Sequence, residues 1–176
     1  MGGSIASFIA NKFPNKIEKI IYVAAFMCAE NKSSLDYIMS DYYTKFMQQI
    51  GAENWATPIK EGRYIKLRLD KKESLIKLFY NQSPEMDIDI ALKNLSELNF
   101  GIPFAHKHNY CEEFYSVNRV YVECTNDNAV PIVTQRQMQK DFPGAKVYTI
   151  EADHSPFFSK DQQLLEIIKK EIPDII

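Results

Sequence analysis

Two side chains in this sequence could do chemistry together: Asp127 and His154. A carboxylate that accepts an imidazole N–H fixes the tautomer of the ring and stabilises its protonated form. The other ring nitrogen can then take a proton from a nucleophile. A plainer reading stands beside this one. Asn126-Asp127-Asn128 is also good turn chemistry, and His154 could be a loop residue ahead of a helix.

The pair has meaning only if strands deliver it. Residues 118–124 (NRVYVEC) read as a strand, and Asp127 follows it. Pro131 opens a helix over 131–141, which Phe142-Pro143-Gly144 ends. Residues 145–150 (AKVYTI) read as the next strand, and His154 follows that one. The last helix spans 160–171 and turns Leu164, Leu165, Ile167 and Ile168 inward. Strand–helix–strand–helix at this spacing predicts a parallel sheet with crossover helices. Ligands bind such sheets at the carboxyl ends of the strands, where both residues fall.

The chain opens with a helix over 4–12, stopped by Pro14, and a buried strand over 17–26. The block from Cys28 to Pro103 differs in character. It is rich in Tyr, Lys, Asn and Met, with helical patterns at 35–50, 73–80 and 86–98 and a short alternating strand at 63–69. We read it as an insertion, dividing the chain into core 1–27, a mainly helical lid at 28–104, and core 105–176. Tyr37, Tyr42, Tyr43, Phe46 and Met47 make an aromatic stripe within it, mostly internal packing with some residues facing a pocket.

Composition narrows the function classes. The 176 residues are 45% hydrophobic and carry a net charge of −2, which leaves no basic field for nucleic acid. No apolar run approaches the roughly 18 residues a membrane span needs. Cys28, Cys111 and Cys124 are too few and too scattered for a disulfide framework, so a reducing, cytoplasmic setting is expected. His106, Lys107 and His108 with Cys111 and Glu112 match no established metal spacing, and a solvated loop is the expected reading. Cys28 ends the first strand near a pocket mouth, where a small buried hydrophobe is expected.

Several segments in combination carry a family resemblance. They are Met1-Gly2-Gly3 followed by a helix, FPNKIEKIIYVAAFM (13–27), LFYNQSPE (78–85), RVYVECTNDNAVP (119–131) and KVYTIEADHSPFFSKDQQL (146–164). Together they resemble the carboxyl-terminal part of an α/β-hydrolase, in the branch of plant methylesterases, hydroxynitrile lyases and bacterial esterase relatives. The resemblance implies a partial α/β-hydrolase fold and a Ser–Asp–His triad that hydrolyses a small carboxylic ester with no cofactor or metal. His154 would be its base and Asp127 the residue that orients the base. The nucleophile elbow of the family reads Gly-His-Ser-Met-Gly-Gly, so its serine would stand just before Met1. Met1 would then supply a backbone N–H to the oxyanion hole. On this expectation the chain is truncated, either by a misplaced start or by a real loss, and is inactive as it stands. Self-association through an exposed sheet edge would follow.

Gly2-Gly3-Ser4-Ile5-Ala6 fits a relaxed nucleophile pattern, but no strand precedes it to aim Ser4. Close packing of the first helix on the sheet is the expected role of these small residues. Two alternatives to an ester hydrolase remain, a hydroxynitrile lyase and a non-catalytic remnant that binds a small molecule. In the plant lyases a lysine follows the catalytic histidine, whereas Ser155 stands here.

Overall fold

The computed structural model describes every residue except 53, 60–63 and 174–176, and of 98–100 it describes the backbone only. The described chain forms two three-stranded sheets. One is parallel, and it is built from β1 (Lys19–Val23), β5 (Asn118–Cys124) and β6 (Lys146–Ile150), in the order β1-β5-β6. Tyr22 pairs with Tyr121, and Val122 with Tyr148. The other is antiparallel: β2 (Ala56–Ile59), β3 (Tyr64–Leu67) and β4 (Leu98–Phe100).

Helix α1 (Gly2–Lys12) precedes β1. Helices α2 (Ser34–Ile38), α3 (Asp41–Ile50), α4 (Lys72–Phe79), α5 (Glu85–Asn94) and α6 (Ile102–Ala105) share the stretch between β1 and β5 with the antiparallel sheet. Helix α7 (Ile132–Asp141) joins β5 to β6, and α8 (Pro156–Ser159) and α9 (Asp161–Glu171) follow β6.

Alternation along the strands divides the core. Ile20, Tyr22 and Tyr121 face the cluster that holds Ala10 and Met138, whereas Val122 and Cys124 face the cluster that holds Leu164. The central strand β5 is buried from Val120 to Cys124, as a parallel strand covered on both faces must be. Its one carboxylate, Glu123, is held by Arg136, Gln139 and Thr149.

The structure departs from the sequence reading at several points. The first strand stops at Val23 because Ala24 takes a φ of 46°, which turns the chain out of the sheet. The helical pattern over 35–50 is two helices, since Ser40 caps the second by accepting the Tyr43 N–H at 3.2 Å. The pattern over 86–98 stops at Asn94, and Leu98 belongs to β4. Strands β2 and β4 were not legible. Pro58 argues against a strand, but β2 pairs on one side only, where a missing N–H costs nothing. Residue 63 of the expected strand lies outside the described residues. Leu165 is 37% exposed rather than inward, while Leu164 takes the core position.

Candidate active site

Asp127 sits in the tight loop after β5. Its Oδ1 accepts the backbone N–H groups of Ala129 (2.7 Å) and Val130 (2.8 Å), so the carboxylate shapes its own turn. Its Oδ2 accepts the Nδ1–H of His154 at 2.9 Å. The proton is assigned to Nδ1 because an ionised carboxylate only accepts. Nε2 is then left with a lone pair. The Asp127 side chain is fully buried, whereas that of His154 is 29% exposed. One oxygen of Asp127 thus shapes the turn, and the other accepts from His154.

Two residues that sequence reasoning missed hold this arrangement. Gln135 on α7 is fully buried. Its amide donates to the carbonyls of Cys124 (3.0 Å) and Val130 (2.7 Å) and accepts the Cys124 N–H, clamping both ends of the Asp127 loop. Asp153, also fully buried, accepts the Ser155 N–H, the Ser159 hydroxyl, the Gln82 N–H and the Ser83 hydroxyl, all within 3.0 Å. It ties the histidine loop to the segment after α4. A buried carboxylate with four donors could have been suspected from Asp153 preceding His154, but two of those donors, Gln82 and Ser83, lie 71 and 70 residues away in sequence.

His154 faces a cavity of about 420 Å³ with a predominantly apolar lining. Met1 and Gly2 border it on one side, Trp55 and Phe79 on another. The Phe79 ring lies 5.5 Å from that of His154. Ser155 also lines it. Burial lowers the Met1 amine to about 6, with Cys28 pulling the other way. Tyr43, from the aromatic stripe, lines the cavity while donating its hydroxyl to the Ala129 carbonyl at 3.0 Å. Tyr37 and Met47 are buried, and Tyr42 is exposed. Cys28 is fully buried and is not among the lining residues, and burial pushes its thiol up to about 11.

Ser4 does not join His154. It is buried against another histidine: its hydroxyl donates to the Pro103 carbonyl (2.8 Å), and His108 Nε2 lies 2.9 Å from its Oγ. The one hydroxyl proton is used, so the imidazole must donate to Ser4 and cannot act as its base. The solvated-loop expectation for residues 106–108 therefore fails at His108, which is 1% exposed. Its backbone pairs with Asn31 and Lys32, and its ring stacks on Tyr110, while His106 and Lys107 are exposed. Cys111 is bonded to Asn11, and Glu112 is exposed. Among the described residues, no three His, Cys, Asp or Glu side chains are grouped to hold a metal.

A parallel sheet with an acid after one strand and a histidine after the next, beneath an intervening segment, defines the class: the chain has a partial α/β-hydrolase fold. Within that class it resembles the plant methylesterases and their bacterial esterase relatives. It is 35% identical over 173 residues to methylesterase 7 of Arabidopsis thaliana, covering 96% of this chain and 65% of that protein. It is 28% identical over 172 residues to a pyrethroid hydrolase of Sphingobium wenxiniae, covering 96% of this chain and 59% of that protein. The crystal structure of a pyrethroid hydrolase from Sphingobium faniae superposes with a TM-score of 0.85 at 26% identity, over 99% of this chain and 68% of that one. The chain thus spans less than two thirds of the length of these two curated relatives. No protein-family model matches it.

Proposed function

We propose that this chain supplies the acid–base half of a serine carboxylic-ester hydrolase. His154 takes a proton from the nucleophile and returns it to the leaving alcohol, and Asp127 orients it. The observation that carries the reading is the 2.9 Å hydrogen bond between a buried carboxylate and a half-open imidazole at the edge of an apolar cavity. Segment 28–104 acts as the lid, with Trp55, Ile65 and Leu67 roofing the cavity. Among the described residues no serine, threonine or cysteine side chain hydrogen-bonds His154. The nucleophile would be the serine that the family places before the residue matching Met1, with the Met1 amide as an oxyanion donor in such a longer protein.

Ester hydrolysis is favoured over cyanohydrin cleavage by Ser155. A departing cyanide needs a cation beside the base, and Ser155 is neutral, 2% exposed and part of the cavity wall. The three free cysteines support a cytoplasmic setting, and no described helix is long and apolar enough to cross a membrane.

The test extends the reading frame upstream of Met1 and expresses the longer protein with and without His154→Ala. The extended protein is expected to hydrolyse p-nitrophenyl acetate and to release no cyanide from mandelonitrile above background. His154→Ala should lose at least about a hundredfold in kcat, the usual worth of a general base. Equal turnover in both forms would overturn the assignment.

A further inference from the structure

Six tyrosines are buried among the described residues: Tyr22, Tyr37, Tyr43, Tyr80, Tyr110 and Tyr121. Five of them have a hydroxyl partner inside the protein. Tyr22 bonds Ser7, Tyr37 bonds Asp141, and Tyr43, Tyr110 and Tyr121 donate to backbone carbonyls. Tyr80 is the exception: it is 8% exposed, and its hydroxyl bonds no described residue. A hydroxyl with no partner inside the protein, still open to solvent, is available for use by a ligand.

Its position suggests that use. Tyr80 lines the cavity that holds His154, directly after Phe79, whose ring neighbours the imidazole. Its own ring sits between Phe79 and Phe158. Among the described residues, the polar side-chain atoms sealed from solvent without a partner are His108 Nδ1 and Arg119 Nη1. The Tyr80 hydroxyl is not among them and keeps some contact with solvent. Nearby Asp153 cannot take its proton, because four donors already fill that carboxylate. Burial, then the charge of Asp153, raises the phenol pKa, which keeps the proton in place for donation.

We propose that Tyr80 is a specificity-determining residue whose hydroxyl hydrogen-bonds an oxygen on the non-reacting, apolar part of the ligand. This rests on the reading of the cavity as an ester site and narrows it. The favoured ligand is an ester whose hydrophobic moiety carries a hydroxyl, ether or carbonyl oxygen. A purely hydrocarbon moiety would fill the same walls and leave the phenol unpaired.

The test measures binding to the 176-residue chain, so it does not depend on turnover. Methyl benzoate, methyl 3-hydroxybenzoate and methyl 4-hydroxybenzoate are titrated into the wild type and Tyr80→Phe. At least one hydroxylated ester should bind the wild type about three- to tenfold more tightly than methyl benzoate, the worth of one neutral hydrogen bond. Tyr80→Phe should abolish that preference and change the methyl benzoate affinity less than about twofold. A preference that survives in Tyr80→Phe overturns the proposal. So does an equal loss for all three esters, which would put the phenol on the ester group itself, and so does failure of all three to bind. Thermal melts give an independent check on folding. Tyr80→Phe should melt no lower than wild type, because its hydroxyl bonds no described residue. Tyr43→Phe loses its bond to the Ala129 carbonyl and should melt lower. A Tyr80→Phe melt as depressed as that of Tyr43→Phe would overturn the premise. If the preference is present but the extended protein hydrolyses no ester, the hydrolase reading fails and the binding role of Tyr80 stands.

Discussion

At the scale of single residues, the two buried histidine–oxygen contacts divide by which partner gives the proton. His154 gives Nδ1–H to a carboxylate and keeps Nε2 open toward a cavity. His108 must give Nε2–H to Ser4 and keeps a sealed, unpartnered Nδ1. Protonating His108 would bury a second N–H with nothing to accept it. Burial, with His106 adding to it, lowers its pKa from 6.5 to about 4. A histidine with a depressed folded pKa binds fewer protons folded than unfolded, so its contribution to stability is complete above the unfolded pKa. That contribution is lost as pH falls toward the folded value. Between about pH 7 and pH 5 the loss should be about 2 kcal/mol. Urea unfolding of wild type and His108→Gln at both pH values checks this. The variant should show the smaller drop, and equal drops would mean that His108 is not held neutral by the fold.

At the scale of elements, α1 makes its tightest approach at one residue without a side chain, against the segment that follows β1. A Cβ on Gly3 would lie 2.3 Å from the Phe26 carbonyl oxygen, and backbone cannot step aside as a side-chain tip can. A Cβ on Gly2 would meet nothing within 4 Å. Both glycines are helical, so alanine should help wherever there is room. Gly3→Ala should therefore destabilise by about 1–3 kcal/mol, as overpacking does. Gly2→Ala should be neutral or stabilise by up to about 1 kcal/mol. Chemical denaturation of the two variants gives the comparison, and a Gly3→Ala protein as stable as wild type would contradict the close approach. The same spot shows the limit of reading small residues from sequence. Met1-Gly2-Gly3 suggested close packing for both glycines, and only the position of Phe26 separates them.

At the scale of the whole molecule, β1 and β6 are both edge strands of the parallel sheet among the described residues. Among the described residues β1 pairs with β5 alone, and its other edge carries free backbone donors and acceptors. The adjoining helix leaves Ile5, Phe8 and Ile9 at 40% exposure or more. An open edge beside exposed apolar side chains invites pairing with another chain. The 176-residue protein should self-associate as concentration rises, and Phe8→Ser with Ile9→Ser should weaken that association. Light scattering across a concentration series reads both effects. A monomer at every concentration would show that this edge is protected.

What the sequence determined by itself was local or periodic. The strand at 118–124, the helix after Pro131 and the placement of Asp127 and His154 after successive strands were legible because hydrophobic alternation and turn chemistry act over a few residues. The tertiary structure decided what depends on distant neighbours. Asp153 became a support of the site through Gln82 and Ser83, which no local pattern announces. His108 became a core residue through pairing with Asn31, Lys32 and Ser4. Strands β2 and β4 formed because an antiparallel partner stabilised segments whose own propensity is weak. Tyr80 was one tyrosine among ten in the sequence. It differs from the other buried tyrosines because folding provided each of their hydroxyls with a partner and left that of Tyr80 without one among the described residues.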